Sequence, residues 1–198
     1  MKILWTGAGL AVALLSGCAS VTTGVSASGA LAGAQTYDFV QTSTQADNAD
    51  YRRVEALVRS ELARRGFAEQ SAAQARYRLT VAYATQPASV ALTQAGCGGE
   101  RQPACIAVDG PAPFGLFGTV YRHMLTLRFV ERATGNEAYR VSAIVQDRQA
   151  DALQAAPALV QSALAKLPFA GGGWFVKTKQ DDQGNVLGVV SVKPVDAH

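Results

Sequence analysis

The chain has 198 residues, 48% of them hydrophobic, an ordinary balance for one domain with a core of its own. Its 18 Lys and Arg stand against 15 Asp and Glu, a formal net charge of +3. That excess is too weak to argue for nucleic acid as a partner.

Met1 and Lys2 form a short positive start, and residues 3–15 form an apolar run interrupted only by Thr6. A bilayer core needs about 20 apolar residues in a helix, so this run is too short to span but fits a secretory signal. Leu15-Ser16-Gly17-Cys18 ends it. This stretch resembles the bacterial lipobox, Leu-(Ala/Ser)-(Gly/Ala)-Cys. The resemblance implies that residues 1–17 are removed, that Cys18 is acylated, and that Ala19 directs export to the outer membrane. The plainer reading is an ordinary secretory signal with an incidental cysteine. The resemblance implies three acyl chains on Cys18, two on sulfur and one on nitrogen. At about 0.8 kcal/mol per buried methylene, two chains already anchor stably and three would hold the protein on lipid essentially permanently.

Cleavage would leave 198 − 17 = 181 residues, with Cys97 and Cys105 as the remaining cysteines. In an oxidising compartment that even pair is expected to form a disulfide, worth about 2–3 kcal/mol. Two free thiols or half of a metal site are the alternatives, and a metal would need histidines nearby. Only His123 and His198 are available, so no metal and no cofactor is expected.

Residues 18–34, rich in Ser, Thr, Gly and Ala and without a charge, are expected to be a flexible tether after the lipidated cysteine. Thr36-Tyr37-Asp38-Phe39-Val40 predicts a first strand. Asp47, Asn48 and Asp50 then offer helix caps, with Val54, Leu57, Val58 and Leu62 at helical spacing. Gly66 closes the helix and Phe67 folds back onto it in the Schellman manner. Residues 76–85, 119–132 and 138–147 alternate apolar with polar side chains and predict three antiparallel strands with one wet face. A second helix is predicted from Asp151 to Leu167, kinked or begun at Pro157 and ended by Pro168.

The expected architecture is therefore α+β, an antiparallel sheet with two helices on one face in the order β-α-β-β-β-α, over residues 35–168. Residues 169–198 form a C-terminal extension, either a hairpin or a segment decoupled by Gly171-Gly172-Gly173.

The domain resembles the bacterial envelope lipoprotein family called domain of unknown function 4136. The likeness rests on Thr36-Tyr37-Asp38-Phe39, Leu62-Ala63-Arg64-Arg65-Gly66-Phe67, the strand from Tyr77 to Tyr83, the run from Leu125 to Gly135, and Leu164-Ala165-Lys166-Leu167-Pro168. Two positions depart from the family pattern: Arg76 stands where Asp is usual, and Tyr139 where Trp is. The resemblance implies a fold and an envelope location, and no activity.

Nucleophilic catalysis needs a base beside the nucleophile, and His123, the internal histidine, falls in the apolar row of a strand. No hydrolase, zinc-protease or phosphate-loop motif occurs, so the chain is not expected to be an enzyme. Two surfaces are candidates for binding. Arg78, Arg122, Arg128 and Arg140 recur on the polar side of the strands and would suit phosphate or carboxylate groups, if they do not simply solvate that face. The connection from Gln86 to Gly118 ends in Pro113-Phe114-Gly115-Leu116-Phe117-Gly118, and Phe114, Leu116 and Phe117 would mark a contact or else cap the core. The expected protein is a lipid-anchored outer-membrane module facing the periplasm, acting in cell-envelope maintenance. Its partners would be membrane lipid through Cys18 and an envelope protein or anionic lipid, with no nucleic acid. An auxiliary lipoprotein of a lipid-transport system is the alternative, and an envelope hydrolase the outsider.

Overall fold

The computed structural model describes residues 20–33, 35–88, 91–95, 105–109, 119–166, 169–181 and 185–195. Within them lie ten strands and three helices. Strand β1 is Ser20–Ala30 and β2 is Thr36–Phe39; helices α1, Ser43–Asp47, and α2, Ala49–Arg64, follow. Then come β3 at Ala68–Glu69, β4 at Tyr77–Pro87, β5 at Ala91–Ala95, β6 at Cys105–Asp109, β7 at Tyr121–Glu131 and β8 at Glu137–Asp147. Helix α3, Ala152–Ala163, precedes β9, Ala170–Gln180, and β10, Val186–Pro194.

Eight strands form one mixed sheet in the order β10-β9-β1-β8-β7-β4-β2-β3. The expected α+β order of four strands and two helices is thus corrected at both ends. Residues expected to be a tether form β1, which lies inside the sheet between β8 and β9, antiparallel to both. The tail expected as an extension pairs along β1 from Ser20↔Lys179 to Ala30↔Ala170 and returns as β10. The sheet is not wholly antiparallel either, since β2 runs parallel to β3 and β4.

The physical reason is alternation with small side chains. Thr23 and Val25 of β1 are buried, while Thr22 before them and Ser26 after them are exposed. Opposite them, Trp174, Val176 and Thr178 of β9 are buried. The period of two is present in both segments, but Ser, Thr and Gly carry it with little hydrophobic contrast.

Helix α2 is built as its sequence predicts. Asn48 accepts from Asp50 N at 2.8 Å and Tyr51 N at 3.0 Å. At the other end Gly66 takes φ +84°, which lets Gly66 N reach Ala63 O and Phe67 N reach Leu62 O. Its Val54, Val58 and Leu62 are fully buried. Helix α3 packs beside it across β7, β8 and β1. Pro157 neither starts nor ends this helix; Asp151 caps it through Leu153 N at 2.9 Å.

The core lies between these helices and one face of the sheet. Phe67, Phe129, Tyr139 and Phe169 form an aromatic cluster with ring centroids 5.5–6.2 Å apart. The Tyr139 hydroxyl is pushed up to about 12 by burial. The connection after β4 is shorter than expected, since Gln86 and Pro87 belong to β4 and residues 91–95 pair with 105–109 as a two-stranded sheet. No described helix is long and apolar enough to cross a membrane.

Candidate functional site

Helices α2 and α3 cover one face of the eight-stranded sheet. The other is open except at its β4 edge, where Val40, Gln41, Thr42 and Gln45 border Thr80, Ala82, Thr126, Arg128 and Arg140 around a hollow of about 370 Å³. The register fixes what that open face presents. One cross-strand row reads Phe175–Gly24–Ile144–Met124–Ala84. It is apolar, and Phe175, 48% exposed, lies over Gly24, where an added Cβ would stand 3.7 Å from its ring. The next row, Ser26–Ser142–Thr126–Ala82, is small and hydroxylic, with Thr126 and Ser142 hydrogen-bonded at 2.9 Å. Beyond it runs Ser28–Arg140–Arg128–Thr80. A shallow depression lined by Ser26, Ser28, Arg140 and Ser142 joins these two rows.

Sequence reasoning proposed four arginines as a patch, and the structure divides them. Arg128 and Arg140 are direct cross-strand neighbours, and Arg78 lies diagonally from Arg128, beside Val130. Arg122 is six residues along β7 from Arg128, about 20 Å away at strand rise. Three lysines join them on the same face: Lys177 beside Thr22, Lys179 beside Ser20, and Lys193 beside Phe175. The sequence expectation includes none of the three. Their signal was Phe175-Val176-Lys177-Thr178-Lys179, an alternation as clean as that of the three predicted strands.

Apart from Arg132, which reaches this face to bind Asp38, four arginines and three lysines give seven cations on it. Among the described residues two carboxylates share it, and both are held. Glu137 accepts from Arg140 Nη2 at 2.6 Å and from Arg128 Nε, which together hold its carboxyl below the usual carboxylate range. Asp38 accepts a bidentate pair of bonds from Arg132. The acids of the helix side are spent differently: Glu55 pairs with Arg59, and Glu61 with Arg64 and Arg65. Charge is therefore segregated across the sheet although the chain as a whole is nearly balanced.

His123 lies on the opposite, helix-covered face and is fully buried. Its Nε2 is 3.1 Å from Asp147 Oδ1 and 3.0 Å from Gln149 O. A carbonyl only accepts, so Nε2 carries the hydrogen, and Nδ1 accepts from the Thr85 hydroxyl at 2.8 Å. The ring thereby ties β4, β7 and the β8–α3 connection together. A cleft of about 510 Å³ beside the free edge of β4 is lined by Gln45, Asn48, Asp50, Tyr51, Tyr83 and Thr85, among others. Asp50 is the one carboxylate in its lining, so no pair of carboxylates converges there. Among the described residues no group of three or more His, Cys, Asp or Glu could hold a metal ion.

Cys18, Cys97, the Cys97–Cys105 disulfide, Phe114, Leu116 and Phe117 lie outside the described residues or side chains. Of that set the structure places only the backbone of Cys105, opposite Ala95 in the small sheet.

A family model described as Domain of unknown function (DUF4136) matches residues 21–169. No curated protein matches. Among solved structures, two dodecamers of PelC from Paraburkholderia phytofirmans, one of them a point variant, are each 11% identical with a TM-score of 0.39. Each match covers 72% of this chain and 95% of that one. A PDZ domain protein from Parabacteroides distasonis gives the same identity and score over 85% of this chain, which spans 43% of the PDZ protein.

Proposed function

The chain belongs to the DUF4136 family, and from that premise we propose that it is a lipid-anchored outer-membrane lipoprotein facing the periplasm. It acts without catalysis, as a binding or assembly module in cell-envelope maintenance, and its binding surface is the open face of the sheet. One observation carries this reading: seven cations share a face with two carboxylates, each already engaged by arginine. Such a face attracts phosphate, carboxylate or sulfate groups and repels other cations. The row of small hydroxyl side chains beside Arg128 and Arg140 leaves room for an anionic group to lie against the guanidinium planes.

Retention on a phosphate-bearing matrix tests the surface. The Arg128→Ser/Arg140→Ser variant is expected to elute at clearly lower salt than the parent. Arg52→Ser/Arg53→Ser, which removes the same charge from exposed positions on α2, is expected to elute close to the parent. Equal effects from both variants would remove the open face from the account. Palmitate labelling of the parent and its loss in Cys18→Ala test the anchor separately.

A further inference from the structure

We infer that the open face docks against the leaflet that holds the acyl chains of Cys18, with anionic phospholipid headgroups as its ligand. The inference rests on the lipoprotein reading and names the partner of the surface proposed above.

The first observation is where the sheet begins. Ser20 is paired with Lys179, so the chain is already fixed in the sheet two residues after Cys18. Two residues span about 7 Å at most. The expected sixteen-residue tether would have let the domain tumble above the membrane, but β1 removes it. Whatever surface surrounds Ser20 is therefore held at the height of the headgroups.

Two orientations satisfy that constraint, and charge chooses between them. Standing on its end, the sheet would present the termini of β1, β8 and β9 to lipid. That end carries Asp147, Asp151 and Asp181 together with Arg148, a mixed set that offers anionic headgroups little attraction. Lying on its open face, the sheet presents its cations to the lipid. Lys179 and Lys177 flank the first residues of β1, beside Ser20 and Thr22. Phe175 is beside Gly24, four residues or about 13 Å along the strand. An exposed aromatic ring between lysines whose stems can lie along lipid is the composition of an interfacial contact. Neighbouring strands twist by about 20–25°, so a flat leaflet meets only a few adjacent strands, and Lys177, Lys179 and Phe175 place those around β1. Contact is then centred on β9, β1 and β8, with Arg140 on its far side and Arg78 lifted away.

The test uses the acylated protein in nanodiscs of phosphatidylcholine alone or with one third phosphatidylglycerol. A water-soluble lysine-acylating reagent reads the exposure of each lysine by mass spectrometry. Lys177 and Lys179 are expected to react at least fivefold more slowly in the anionic discs, and high salt is expected to restore them. Lys166, which stands over the Trp174 ring on the helix side, is expected to react equally in both. A parallel arm adds soluble dextran sulfate to the protein in phosphatidylcholine discs. Protection by dextran sulfate without protection by phosphatidylglycerol overturns the lipid assignment and leaves the anion-binding face standing. Protection by neither overturns both. A chain recovered without acyl groups overturns the anchor and this inference with it.

Discussion

At the scale of single residues, Glu137 sets how much of the cationic face is available. It sits between Arg128 and Arg140, and the two guanidiniums depress its carboxyl, so it stays charged at neutral pH. Replacing it by Gln frees both arginines. At about 1 kcal/mol per unit charge near an anionic surface, Glu137→Gln should tighten vesicle binding about fivefold. Unchanged affinity would mean that Arg128 and Arg140 do not face the ligand. The same depression means that whatever stability this cluster contributes is present above the usual carboxylate range and is lost as acid protonates Glu137. The tyrosines report the opposite end of the pH scale. Burial pushes Tyr139 up to about 12, and Tyr37 likewise, with Glu69 adding to it. Because the folded state keeps these phenols protonated, their contribution is complete below pH 10 and falls as pH rises toward 12. Melting temperature should therefore drop steeply between those values, and Tyr139→Phe should blunt the drop. The four arginines were legible from strand alternation, but Glu137 was not. It meets Arg128 only because the register shifts between Phe129 and Val130, and no spacing in the sequence encodes a bulge.

Among the elements, β1 decides the fold. Alternation with large side chains made β4, β7 and β8 legible, and the Asn48 cap with Gly66 made α2 legible. Nothing comparable marked β1, where Ser, Thr, Gly and Ala fill both faces and Val25 is the one large side chain fully buried. Its strand character comes from its neighbours: β8 and β9 each offer an edge that it completes. The consequence is testable inside a segment that reads as linker. Val25→Asp places a carboxylate 4% exposed in the core, a cost of at least about 3 kcal/mol. The variant should be unfolded or strongly destabilised in urea titration, whereas a true tether would accept it without change. Ser26→Asp, one position on and facing outward, should fold normally. The tail does form the hairpin that its sequence allows, β9 with β10, but its place beside β1 was not legible, for a related reason. Gly171-Gly172-Gly173 reads as a hinge, yet Gly172 and Gly173 pair with β1, and Gly171 sits at the register shift beside them, where an added Cβ would stand 3.5 Å from Ala27 O.

For the molecule as a whole, losing the tether changes what the charge pattern means. A net charge of +3 carries no message when averaged over the chain. Sorted by the sheet, it becomes a cationic face on one side, while on the other Glu55 and Glu61 are neutralised by arginines of their own helix. That sorting was hidden from the sequence because it needs the strand order, which brings Lys177 and Lys179 within reach of β8 through β1. The central claim is that the open face is the working surface. Photocrosslinking in intact cells from a probe at Ser26 or Ser142, against one at Arg53 on α2, tests it most directly. Phospholipid adducts are expected from Ser26 and Ser142, and none above background from Arg53. Adducts from Arg53 with none from the open face would contradict it.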